Sequence, residues 1–175
     1  MSPNNILDQI WETYQITIDC LKIASRCVDS GEYTLLKRTN FIGISPTEAG
    51  KGISTSRSEG DDYIILSLWA AFERQVYSCL QKECEKILDG NGSNFNKSVR
   101  RKIDEEIEYW RIDDILDLFK FIVSSDLIGN AKQIKRYRDW IAHKNPRKGP
   151  PSNVLPVNAY RVFSTILSCL GQVRT

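Results

Sequence analysis

From Ile6 to Val28 the apolar residues Ile6, Ile10, Tyr14, Ile18, Leu21 and Val28 recur at intervals of three, four and seven. That spacing puts them on one face of a long amphipathic helix. Pro3 with Asn4 or Asn5 supplies the start signal and Gly31 the stop. Residues 30 to 61 lose the period. Gly43, Pro46, Gly50, Gly52 and Gly60 with a Ser/Thr run predict a long flexible loop there, with YTLLK and FIGI as short extended pieces. Asp61 or Asp62 then caps a helix running to about Leu88, whose wide stripe of Ile65, Leu68, Trp69, Phe72, Val76 and Leu80 suits a central bundle position. After a turn over Asp89 to Asn94 come a polar helix, Phe95 to Tyr109, and a richer one, Ile112 to Val123. A helix through Leu127, Ala131, Ile134, Tyr137 and Ile141 follows, and a last one from Val157 to Val173. The pattern predicts an all-α fold: a single-domain bundle of about five to six helices over 1–175, with the loop at about 30–61.

Composition narrows the class only slightly. The chain has 175 residues, 41% of them apolar and 26% charged, enough for one ordinary core and far from a disordered or fibrous composition. No stretch approaches eighteen apolar residues, and MSPNNILDQIWE carries acids where a secretory signal carries bases. Both features predict a cytoplasmic protein with no membrane partner. Five cysteines, an odd number and mostly on apolar faces, predict buried free thiols.

Charge distribution says more than its sum of +2. Between Lys132 and Lys148 stand seven Lys or Arg residues and one acid, Asp139, so the rest of the chain is net negative. Such a concentration is either the footprint of a phosphate-bearing partner or a solvated basic face. Within it lies RYRDWIAHKNP, Arg136 to Pro146, with the only histidine of the chain. Pro146 must end the helix, so His143 falls in its last turn. Arg136, seven residues earlier, shares the face of His143, whereas Arg138 lies about 140° around and reaches with its long side chain.

Arg138, Asp139, Trp140, Ile141, Ala142 and His143 form an R-x4-H motif with a small polar residue directly after the arginine. This resembles the signature of HEPN domains, small all-α bundles that include many metal-independent RNases of toxin and antiviral systems. SLWAAFERQV, Ser67 to Val76, is similar to the Trp-x-x-Phe-Glu helix of several prokaryotic HEPN groups, among them those linked with L-PSP-type ribonucleases. The resemblance covers roughly residues 60 to 170. It implies RNA as substrate, a homodimer whose active site forms where two motif helices meet, and an antitoxin or neutralising protein as a further partner. Some HEPN toxins carry a modifiable tyrosine two residues after the histidine; Asn145 stands at that position here.

The residues themselves have the parts for RNA cleavage by 2′-hydroxyl attack. An imidazole exchanges protons near neutral pH, and a guanidinium stabilises charge on a phosphate. His143 is thus the candidate acid or base and Arg138 the phosphate ligand. Asp139 orients Arg138 or acts across an interface. Glu73 either pairs as an exposed acid with Arg74 or Lys82, or orients Arg138 or His143. Lys135, Arg136, Lys144, Arg147 and Lys148 are candidate RNA contacts, while Trp140 and Tyr137 serve as packing, interface anchors or base platforms. No cofactor or metal is predicted. Asp113–Asp114 and Glu105–Glu106 lack a second histidine, and Gly50-Lys51-Gly52 has Ser45 and Gly52 where a phosphate loop needs Gly and Ser or Thr. Three readings stand: a HEPN-type endoribonuclease, a catalytically inactive HEPN-like module binding RNA, nucleotide or protein, and an unrelated helical protein. The last predicts different surroundings for Arg138 and His143.

Overall fold

A computed structural model describes residues 6–89, 93–143 and 149–172. The described residues are helical and contain no strand, so the fold class is all-α as the periodicity predicts. In order the α-helices are α1 (Ile6–Asp29), α2 (Tyr33–Leu36), α3 (Pro46–Asp89), α4 (Asn94–Glu106), α5 (Ile112–Leu118), α6 (Ser125–His143) and α7 (Pro156–Gln172). Short 3-10 turns follow α4 at Ile107–Tyr109 and α5 at Phe119–Phe121. No described helix is long and apolar enough to cross a membrane. The chain divides into two compact units, Met1–Ser67 and Leu68–Thr175, with the division falling inside α3.

In the first unit α1 ends as Gly31 predicts. Gly31 takes φ +68°, while its N–H donates to the Val28 carbonyl at 3.2 Å and the Glu32 N–H to the Cys27 carbonyl at 3.0 Å. This pair of bonds with a left-handed glycine is the Schellman closure, and a β-carbon would oppose it. The expected α1 stripe holds at Ile10, Tyr14, Ile18 and Leu21, which are half-buried, and at Val28, which is buried; only its first position departs, Ile6 being exposed and Leu7 buried.

The loop expected over 30–61 is largely helix. α2 occupies part of it, and α3 starts fifteen residues before Asp61. The cause is a start signal written in loop-forming residues. The Ser45 N–H donates to Glu48 Oε2 at 3.1 Å, and the Glu48 N–H donates back to Ser45 Oγ at 3.2 Å. That is a capping box, and Pro46 sits at the first helical position, where its missing N–H costs nothing. Ala49 and Ile53 then pack with Val28 and Leu36, a burial that outweighs the glycine penalty of about 1 kcal/mol per position. Asp61 is consequently no cap. It lies within α3 and accepts a hydrogen bond from the Tyr14 hydroxyl; burial and then that bond push the phenol's pKa up.

The second unit is built on an aromatic cluster. Trp69, Phe72 and Phe163 are buried, with Phe72 stacked on Phe163 at 4.3 Å between centroids and the Trp69 ring edge-on to both at 5.7 Å. α6 packs against α7 and α5 against α6, filling the core with Ile115, Leu116, Ile128, Ala131 and Ile166. Arg100 of α4 pairs with Glu85 of α3 at 2.8 Å. Ser93 caps α4, accepting the Asn96 N–H at 3.2 Å. The five cysteines are free, but Cys20 is exposed and the others only half-buried, since the apolar faces they flank are filled by larger side chains.

Ser45→Ala is expected to lower stability by about 1 kcal/mol through the lost cap, measured as a shift in the urea midpoint at unchanged m-value. Asp117, at the end of α5, accepts from Lys132 at 2.6 Å and from Lys120 at 2.9 Å. These two bonds, Lys132 first, hold its carboxyl below the usual aspartate range. A depressed folded-state pKa adds stability above the unfolded value, and that stability disappears as pH falls through the folded one. The melting-temperature gap between wild type and Asp117→Asn should therefore be present at pH 7 and close as pH falls below the ordinary aspartate value of about 4.

Candidate active site

Helix α6 carries the R-x4-H motif and ends at His143. α3 brings Trp69 and Glu73 to it. Four residues separate these two, so they stack on one face of the helix, and the Trp69 indole N–H donates to Glu73 Oε2 at 3.1 Å. Arg138 donates to the same oxygen through Nη2 at 3.3 Å, across 65 positions of sequence. Its other terminal nitrogen, Nη1, donates to Asp139 Oδ1 at 2.9 Å. The guanidinium carbon lies 5.2 Å from the centroid of the Trp69 ring, where the ring's negative face attracts it. Arg138 is therefore held by a carboxylate on each terminal nitrogen and an indole beside it, with 27% of its side chain still exposed.

Glu73 thus takes the second of its two expected roles. Neither Arg74 nor Lys82 pairs with it among the described residues; its partners are Trp69 and Arg138. Asp139 contacts Arg138 within the chain and also takes Lys135 Nζ at 3.1 Å. Lys135 is shared with Asp113 of α5 at 3.5 Å. The acids Asp113 and Asp117 therefore serve as counter-ions to α6 lysines.

His143 has different surroundings from Arg138. It is exposed at the last position of α6, with no hydrogen bond or ion pair among the described residues. Arg136 is exposed as well. Lys144, Arg147 and Lys148 lie outside the described residues, as do Asn145 and Pro146. Trp140 is half-buried, with its ring tilted 32° to that of Tyr137 at 5.7 Å.

An open groove of about 500 Å³ adjoins the Glu73–Arg138 pair, lined by Ala70, Glu73, Arg74, Tyr77, Ser78 and Gln81 of α3. Tyr77 fastens this part of α3 by donating its hydroxyl to the Trp110 carbonyl at 2.9 Å. Among the described residues no group of three His, Cys, Asp or Glu side chains is placed to hold a metal ion. In the sequence Trp69 is legible as a core residue and as the tryptophan of the Trp-x-x-Phe-Glu stretch, but not as a partner of Glu73. The signal for its second role was the Trp and Glu four apart, which lets an indole N–H reach a carboxylate on the same helix.

Compared with protein families, with curated proteins and with solved structures, the chain matches none.

The Glu73–Arg138 contact is half-buried, between the weak surface limit and a desolvated pair. A double-mutant cycle with Glu73→Gln and Arg138→Met in urea should return a coupling of about 1 kcal/mol. The Trp69→Phe background should reduce it, since the indole N–H fixes the carboxylate.

Proposed function

We propose that the chain is a metal-independent endoribonuclease of HEPN type, acting as a homodimer through α6 in the cytoplasm, in toxin–antitoxin or antiviral defence. The observation that carries this reading is the hydrogen bond from Arg138 to Glu73. It joins the two segments on which the HEPN resemblance rests, although 65 positions separate them. The second compact unit also begins at Leu68, close to where that resemblance starts.

In the proposed reaction Arg138 binds the scissile phosphate and stabilises charge as it becomes pentacovalent. Glu73, Asp139 and Trp69 are positioning residues that limit the conformers of the guanidinium before substrate arrives. The 2′-oxygen bonds to phosphorus while its proton passes to a base, and the 5′-oxygen leaves with a proton from an acid. Products are a 2′,3′-cyclic phosphate and a 5′-hydroxyl. One histidine per chain supplies one of these proton transfers, and His143 of a two-fold partner supplies the other. An imidazole on the outer end of α6 suits a site completed by a second copy. Arg136 adds positive charge along the strand's path.

The runner-up is a catalytically inactive module that binds RNA, nucleotide or protein. It is favoured by the balance of charge at Arg138, whose guanidinium already has two carboxylate partners; the separate surroundings of His143 are those that an unrelated helical protein predicts.

Purified protein in excess EDTA is expected to cleave single-stranded RNA to products ending in 2′,3′-cyclic phosphate. His143→Ala and Arg138→Ala should each reduce the rate by about a hundredfold or more. Absence of cleavage across several RNA classes, with binding retained by both variants, would establish the inactive module instead.

A further inference from the structure

A second groove, of about 350 Å³, lies between α6, α7 and the segment that precedes α7. Its polar lining is unusual in composition. Asn130, Gln133, Asn153 and Asn158 present four carboxamides, and Arg161 adds a guanidinium. No hydrogen bond within the chain engages any of these five side chains among the described residues. The floor is apolar, with Ile134 and Val154 both buried, and no carboxylate lines it.

Each feature restricts the ligand. A carboxamide offers an acceptor and two donors in one plane, the complement of a base edge read bidentately. Aliphatic walls shelter a flat apolar face, and a cation without a counter-ion in the lining favours an anionic ligand. The volume falls at the lower end of the roughly 300–1,000 Å³ of small-molecule sites. An RNA duplex offers no such edge to these side chains, since its major groove is deep and narrow and its base faces are covered by stacking.

Position links the groove to the motif. Ile134 of the floor and Arg138 are one turn apart on α6, about 6 Å along the axis, and roughly 40° apart around it. We propose that this groove takes an unpaired base next to the phosphate that Arg138 binds, which makes the substrate single-stranded RNA read at a flanking base. The inference rests on the ribonuclease reading for the role of Arg138, but the groove's chemistry uses no motif residue.

The test separates the two. Labelled single-stranded 6-mers of each homopolymer and a hairpin stem of equal length are titrated against wild type, Asn130→Ala/Asn158→Ala, Gln133→Ala and Arg161→Ala, with cleavage followed in parallel. All four positions are exposed, so circular dichroism and melting temperature should be unchanged. Single strands are expected to bind at least about tenfold more tightly than the stem, with a preference among bases. The groove variants should lose about tenfold in affinity and in KM, the scale of one bidentate base contact, with kcat little changed and the base preference flattened. Cleavage with unaltered KM and base preference in every groove variant would overturn the groove while leaving the ribonuclease intact. Binding that depends on the groove without any cleavage would overturn the ribonuclease and keep the groove as a base-binding site. Mononucleotides that bind as tightly as the 6-mers, also through the groove, would overturn the strand assignment in favour of a free nucleotide. Neither binding nor cleavage would remove both.

Discussion

A buried indole must find an acceptor for its N–H, and in this chain that requirement organises the second unit. Trp69 is packed edge-on to Phe72 and Phe163, so its ring cannot turn without breaking the aromatic cluster. The N–H is left pointing at the carboxylate one turn along α3, and Glu73 accepts it. A carboxylate held in this way still has capacity to accept more, and Arg138 fills it from α6. The face of the same indole lies beside the guanidinium. Core packing and the candidate site are thus one structure, and Trp69 belongs to both.

Electrostatics on α6 follow from this arrangement and from its neighbour. Read along the chain, Lys132, Lys135 and Arg138 belong to a dense positive run. In space each meets carboxylates: Asp117 for Lys132, Asp113 and Asp139 for Lys135, Glu73 and Asp139 for Arg138. Arg136 stands outside these pairs, exposed on another face. The inner cations therefore give the helix its position and the guanidinium its orientation. Arg136, with no ion pair among the described residues, leaves its charge open to solvent.

Oriented guanidinium, exposed imidazole and amide-lined groove divide the proposed work between them. In that proposal a phosphate would bind where donors are fixed, a proton would move where water and a second copy have access, and a base would be read where carboxamides have no other partner among the described residues. Each task needs a different local environment. α6 carries residues of all three because successive positions along it meet different neighbours: α7 at Ile134, α3 residues at Arg138, and solvent at His143.

Periodicity alone determined the class of fold and most helix positions, since burying an apolar stripe requires only that the residues recur with the helical period. It placed α1 and the helices from α4 to α7 to within a few residues. It also determined that Arg138 and His143 sit on different faces, because five residues are not a whole number of turns. The start of α3 escaped it: Ser45, Pro46 and Glu48 are turn formers in composition and helix starters in arrangement, and the decision between them came from packing of Ala49 and Ile53. The choice among partners for Glu73 also belonged to the tertiary structure. Arg74 and Lys82 are near in sequence, yet Arg138, 65 positions away, is brought to the carboxylate by helix packing that no local pattern encodes.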